Sequence, residues 1–468
     1  MGDGNLGLLG ENVGALEDCR EQVAANYRQK TGRSKALFDR ARDVLPGGAS
    51  GNLRYFAPYP LYMKTGDGCR FTDADGHRYI DCFSCNGPLL LGHRHPAVMA
   101  AISEVQDVGT LVVNPEIMIS CAEKLQQVIP CAERVRFLNS GTEAVMTALR
   151  YARAYTGKEK VVKFFGHYHG QDDQVLLGMT PDRQTFGAGV PTASIENTLT
   201  LPFNDTTLFE TLINERDDIA AVVLDPAMHA GGLWGASREF LETIRSLTKA
   251  NNIVLIFDEV ITGFRMGVGG AQTYHGVTPD LATFAKALSA GEKLAAVVGS
   301  ANVMSVTDPL APEGTPQVFQ SGTGNDGTLA LAAGLAAINE YERLERAGAY
   351  GELWGRVEVL ETGIRRAFQA AGIGIHVNRL ASMMQLFVTQ RKPSYEDYAT
   401  LNNDLLDLFF LALINEGVLL SLPTSNHIYF SFAHDQAAFD EIEATIGTVL
   451  QRYPFSQAYT EQIQRSAG

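Results

Sequence analysis

The 468-residue chain is short of cysteine, with six in all at Cys19, Cys69, Cys82, Cys85, Cys121 and Cys131. That is too sparse for a disulfide framework at this length and points to a reducing compartment. Only Cys82-Phe83-Ser84-Cys85 has metal-like spacing. It has no second pair and its neighbours are apolar, so two packed thiols are expected there and no metal. No uninterrupted apolar run approaches the ~20 residues of a membrane helix; Leu405 to Ile414 is short and carries Asp407. Positive charge is scarce as well: 38 Lys and Arg face 53 Asp and Glu, and the net charge of −15 repels phosphate backbones and anionic lipid surfaces. Neither nucleic acid nor membrane is therefore an expected partner. The N-terminus has no basic region and no myristoylation signal, repeats and low-complexity linkers are missing, and a soluble, cytoplasmic protein is expected.

What the chain does have is 45% hydrophobic residues and 46 glycines, the balance of a turn-rich α/β enzyme. Residues 1–33 are polar and glycine-rich with one helical stretch near Leu16 to Gln29, and read as an arm. Residues 34–90 hold a helix that stops before Pro46-Gly47-Gly48, then a hairpin-like region with turn signals at Gly66-Asp67-Gly68 and Asp75-Gly76. Over 91–334, apolar runs at Val135 to Leu138, Val161 to Phe165, Ile219 to Leu224, Ile253 to Phe257 and Ala295 to Val298 alternate with helical segments. That alternation predicts a mainly parallel sheet between helix layers. Leu331 to Leu344 reads as a long helix leading out of the sheet. Residues 335–468, with a helix over Tyr398 to Asn415 and strands over Met383 to Val388 and Ile428 to Ser431, suit a smaller α+β domain shared with residues 34–90.

Asp258-Glu259-Val260 follows the run Ile253 to Phe257, which is apolar on both faces as in a buried parallel strand, and Lys286 stands 28 residues beyond Asp258. Ligands of open α/β sheets bind at the carboxyl edge of the strands. An acid there can protonate a pyridine nitrogen and a lysine can form a Schiff base, the two fixed contributions a protein makes to pyridoxal phosphate chemistry. The acid alone also suits magnesium in a nucleotide hydrolase, and the lysine alone suits a snorkelling surface position. Strand alternation puts Asp258 and Val260 on one side and Glu259 on the other. Arg136 to Asn139 leads into Ser140-Gly141-Thr142 at a helix N-terminus, which fits either phosphate binding or an ordinary cap. Gly166-His167-Tyr168-His169-Gly170 follows another strand, with Tyr168 able to stack on a planar ring and the two imidazoles read as structural, not zinc-binding.

Asn139-Ser140-Gly141-Thr142-Glu143-Ala144, Tyr168-His169-Gly170, Asp258 to Arg265 and Lys286 together resemble the class III (ω-type) pyridoxal-phosphate aminotransferases, from about Ser34 to about Tyr453. Gly269-Gly270-Ala271-Gln272 and Gly276 to Leu281 are most similar to the glutamate-1-semialdehyde 2,1-aminomutase branch. The resemblance implies a fold type I subunit, with a large domain and a smaller α+β domain from both termini, working as a homodimer with each active site at the interface. It implies pyridoxal 5'-phosphate held by Ser140, Gly141 and Thr142 at the phosphate, by Tyr168, His169 and Val260 around the ring, and by Asp258 at the pyridine nitrogen. Lys286 would be the Schiff-base lysine, Thr323 would reach the partner subunit's phosphate, and Arg54 and Asn86 would meet substrate. Cys85-Asn86-Gly87-Pro88 stands where the aminomutases have Ser-Trp-Gly-Pro, and their glutamate before the C-terminal strand is replaced near Asn426. Those departures favour an aminotransferase moving an amino group from a donor to a separate carbonyl acceptor, through a Lys286 aldimine and pyridoxamine phosphate; the alternative is the aminomutase-type isomerase.

Overall fold

The computed structural model describes residues 14–179, 184–398 and 401–467. Among the described residues fourteen strands form three sheets. Three come early: β1 (Met63–Asp67), β2 (Arg70–Asp73) and β3 (Arg78–Asp81). Seven follow: β4 (Arg134–Leu138), β5 (Lys160–Phe164), β6 (Thr198–Leu201), β7 (Ile219–Leu224), β8 (Val254–Asp258), β9 (Leu281–Phe284) and β10 (Ala295–Gly299). The last four are β11 (Ile375–Leu380), β12 (Met383–Val388), β13 (Val418–Leu419) and β14 (Ile428–Tyr429).

The seven-stranded sheet has the order β4-β10-β9-β8-β7-β5-β6. β10 runs antiparallel to both its neighbours, β4 and β9, so it alone opposes the other strands. Every residue of β7 and β8 is buried, which is why their sequences lack the alternation of a one-faced sheet. Parallel pairing with helical crossovers brings the carboxyl ends of β4, β5, β7, β8 and β9 to one edge. β9, with Ala and Thr among its four residues, carries too short an apolar signal to stand out in the sequence, as does β6.

A second core is assembled from both ends of the chain. β13 pairs in parallel with β3, closing the sheet β1-β2-β3-β13, and β11-β12-β14 form an antiparallel sheet. The helix expected within the arm is present as Ala15–Lys30, but it is not free: Cys19, Val23 and Tyr27 are fully buried in this core, against the Asp404–Asn415 and Phe455–Ala467 helices. Burying Val23 and Tyr27 contributes ~1.5–3 kcal/mol each, enough to hold a helix whose polar face masks its docking side in the sequence. The helix expected over Tyr398 to Asn415 begins later, at Asp404. Asn402 Oδ1 accepts the Asp404 N–H at 2.9 Å, a local bond that competes with helix continuation; residues 399 and 400 lie outside the described residues. The Thr328–Arg346 helix runs without a break through the boundary expected at 334/335. Cys82 is buried with Sγ 3.7 Å from His434 Nε2, whereas Cys85 is exposed. No helix among the described residues is long and apolar enough to cross a membrane.

Candidate active site

Each of the five converging strand ends delivers a polar group. β8 ends in Asp258, which is buried and accepts the Val260 N–H at 3.1 Å and the Thr283 hydroxyl at 3.3 Å on Oδ1. Its Oδ2 lies 2.7 Å from His169 Nδ1, on the loop after β5. Burial pushes the His169 pKa down, so the ring is neutral with its proton on Nδ1, donated to the carboxylate. Glu259 takes the opposite side, as strand alternation requires, and accepts N–H groups of Ala271 and Gln272 at 2.6 and 3.2 Å.

β4 hands over to the Gly141–Thr156 helix through a capping box: Ser140 Oγ accepts the Glu143 N–H at 3.3 Å, and Glu143 Oε2 accepts from Ser140 and Asn139 N–H at 3.1 and 2.8 Å. The Ser140 hydroxyl is therefore a cap, while the N–H groups of Gly141 and Thr142 point out of the first turn with no acceptor among the described residues. A Cβ at Gly141 would stand 3.0 Å from both methyls of Val260, so only glycine lets the helix start approach the Asp258 turn. Thr142 Oγ1 accepts the Gln171 N–H at 3.2 Å and fixes the loop that bears Tyr168. Tyr168 is 42% exposed, and burial of its hydroxyl together with the Asp258 charge pushes its pKa up. Beneath this loop Lys163 is fully buried and donates to the carbonyls of His167, Val175 and Leu177 at 2.9, 2.9 and 2.6 Å.

Lys286 stands two residues past the end of β9 in a left-handed conformation, φ 48°, and is partly exposed. Desolvation pushes its pKa down to about 8 despite the attraction of Asp258 and Asp225. Asp225, at the end of β7, is buried and pushed up to about 7, chiefly by desolvation.

Residues 54–353 match the aminotransferase class-III family. The chain belongs to that family. A glutamate-1-semialdehyde 2,1-aminomutase of Methanopyrus kandleri is 38% identical over 433 residues, covering 91% of this chain and 99% of the relative. An ω-transaminase from Sphaerobacter thermophilus superposes with a TM-score of 0.84 at 34% identity, covering 91% of this chain and 99% of that one. A transaminase solved with PLP bound gives 0.82 at 32% identity, covering 91% and 98%. This class III enzyme has the PLP fold type I, and pyridoxal 5'-phosphate is its cofactor. Its own residues fit the group: free first-turn N–H groups suit a phosphate, a buried carboxylate suits a pyridinium, and a lysine with a depressed pKa suits an aldehyde.

Arg54 is exposed, bonded at 3.3 Å to the Ser50 hydroxyl, with its positive charge acting on the Cys85 thiol. Thr323 is exposed on a segment tied back by the Asn325–Asn139 bond of 2.9 Å. Asn426 is bonded to the Leu386 backbone at 3.0 and 2.7 Å. The neighbouring His427 is partly buried, and Asn86 Oδ1 lies 3.3 Å from its Nδ1 and 3.0 Å from the Tyr429 hydroxyl. His229 stacks on Tyr429 with ring centres 5.1 Å apart. Arg265 is buried at the junction of the two cores, donating to Ser382 Oγ at 3.1 Å, to the Phe430 carbonyl at 3.2 Å and to the Gly87 carbonyl, with its guanidinium 5.0 Å above the Tyr429 ring. His427 is marked in sequence only by adjoining Asn426, and Tyr429 is not marked at all. Among the described residues no group of three or more His, Cys, Asp or Glu is placed to hold a metal.

Proposed function

We propose that the enzyme is an intermolecular aminotransferase, taking an amino group from an amine or amino-acid donor and passing it to a separate carbonyl acceptor. The observation that carries this reading is the substrate wall: Asn86, His427 and Tyr429 replace an aromatic wall and a carboxylate with a neutral hydrogen-bonded set. The bound cofactor supplies an electron sink at its protonated pyridine ring. Asp258, fixed by His169 and Thr283, holds the negative charge opposite the ring nitrogen. Tyr168 and Val260 would bracket the ring, and the N–H groups of Gly141 and Thr142 beside the Ser140 cap would receive the phosphate. Lys286 would hold the cofactor and, as a neutral amine, would move a proton at the donor's α-carbon. Arg54 at the pocket rim offers its charge to a substrate carboxylate.

The aminomutase is the second reading, and the curated relatives, 36–38% identical and bearing that name, favour it over the first. The two separate in one experiment. Holoenzyme mixed with L-glutamate, L-alanine or a simple primary amine, each alone, is expected to lose its long-wavelength cofactor absorbance with one of them. If no donor bleaches the band while glutamate 1-semialdehyde alone turns over, the enzyme is the isomerase.

The same proposal places a second copy over the exposed apolar residues Val113, Leu310 and Phe319, which are 89%, 89% and 84% exposed, bringing its Thr323 to the phosphate. Light scattering is expected to give a mass of two chains; a monomer that binds cofactor normally would refute the shared site.

A further inference from the structure

The wall of the cleft contributed by the second core carries a donor and an acceptor side by side. Asn86 Oδ1 accepts from the Tyr429 hydroxyl at 3.0 Å and faces His427 Nδ1 at 3.3 Å. An oxygen engaged in this way takes the proton of Nδ1, so the neutral imidazole presents Nε2 as a bare lone pair. Burial, with the Lys286 charge adding to it, pushes the His427 pKa down to about 3, so the ring stays neutral throughout the neutral range. Asn86 turns its oxygen toward Tyr429 and His427, which leaves its amide N–H groups as the donor beside that lone pair. Both residues are only partly buried and reach the cleft, whereas Tyr429 and His229 are sealed behind them. His229 packs its ring 4.4 Å from His427 and 5.1 Å from Tyr429, the latter at an interplanar angle of 15°, and fixes both from behind.

Resting on the aminotransferase reading, we propose that Asn86 and His427 form a subsite for an uncharged polar group on the substrate, a carboxamide or a hydroxyl, and select against a carboxylate at the same position. A carboxamide offers N–H to the His427 lone pair and C=O to the Asn86 amide. A carboxylate of the same size offers only acceptors, so the lone pair of Nε2 would face a second one with no proton between them. Sites built to hydrogen-bond one group discriminate strongly against an isostere that leaves them unpaired. His229 is a positioning residue here, acting through the ring of His427.

The test uses isosteric pairs. Holoenzyme is presented with L-glutamine or L-glutamate, and with L-asparagine or L-aspartate, and bleaching of the cofactor band is timed. The amide of the productive pair is expected to react with a kcat/KM at least ~10-fold above that of its acid. His427→Phe is expected to abolish that preference by lowering amide turnover ~10-fold or more, while the cofactor band and melting temperature stay in place. Asn86→Asp is expected to weaken the amide further without rescuing the acid. Equal handling of amide and acid by the unaltered enzyme would overturn the proposal, as would an equal loss for both in His427→Phe. Calorimetric binding of unreactive succinamide and succinate reads the same subsite without turnover. Tighter succinamide binding that His427→Phe removes supports the subsite even where no donor bleaches the cofactor and the aminotransferase reading fails; no difference between the two ligands refutes the subsite alone.

Discussion

The two walls of the active-site cleft are built on opposite principles. The cofactor wall lies on the edge of one sheet, where each group sits at the end of a buried parallel strand: Asp258 on β8, Lys286 after β9, the Ser140 cap after β4. The substrate wall is assembled from chain segments about 340 residues apart, Asn86 after β3 and His427 before β14, which meet only because the second core is closed by the two ends of the chain. The first wall is rigid and charged. The second is neutral and hangs on side-chain contacts. On the proposed reading the chemistry is fixed where the fold is most uniform, and recognition falls to the part most free to vary.

If that division holds, removing a charge from the cofactor wall is expected to abolish chemistry for every substrate alike. Asp258→Ala should lower kcat ~10³-fold with all donors, since nothing else in the site opposes the ring nitrogen. Steady-state rates across a donor panel check this; a loss confined to some donors would merge the two walls. A smaller effect is expected beneath the same wall, where Lys163→Met strands three buried carbonyls. It should cost on the order of 3 kcal/mol of stability, seen as a lower urea midpoint, and should loosen the Tyr168 loop. The mildest concerns pH. With its pKa pushed down to about 8, Lys286 is mostly cationic below that pH and mostly neutral above it. Apoenzyme capture of pyridoxal phosphate should therefore accelerate up to ~10-fold per pH unit below 8 and level off above it. A rate still climbing steeply at pH 10 would mean that burial does not depress the lysine.

The same contrast governs what could be read from the residues alone. β7 was legible to the residue, because Ile219 to Leu224 is an apolar run with no competing reading. The cofactor wall was legible because strand ends put their chemistry next to the strands in sequence. The helix Ala15–Lys30 was visible as a helix, yet its docking was not, since its partners lie some 390 and 440 residues downstream. His427 was invisible for the same reason: the position was marked by a missing glutamate, and the structure turns Asn426 away to the Leu386 backbone and lets its neighbour in.

One feature of the substrate wall limits how it can be rebuilt. Ser84, Cys85, Asn86 and Gly87 have φ values of 51°, 54°, 72° and 102°, four consecutive left-handed residues secured by Asp81, which accepts the Phe83 and Ser84 N–H groups at 3.0 and 2.8 Å. Such a backbone admits glycine, asparagine and aspartate readily and penalises β-branched residues. Anyone reshaping this enzyme toward a new substrate thus meets a turn at 84–87 that disfavours branching at Cβ. Branched side chains are better introduced from the facing segment, at positions such as His427, which is not left-handed.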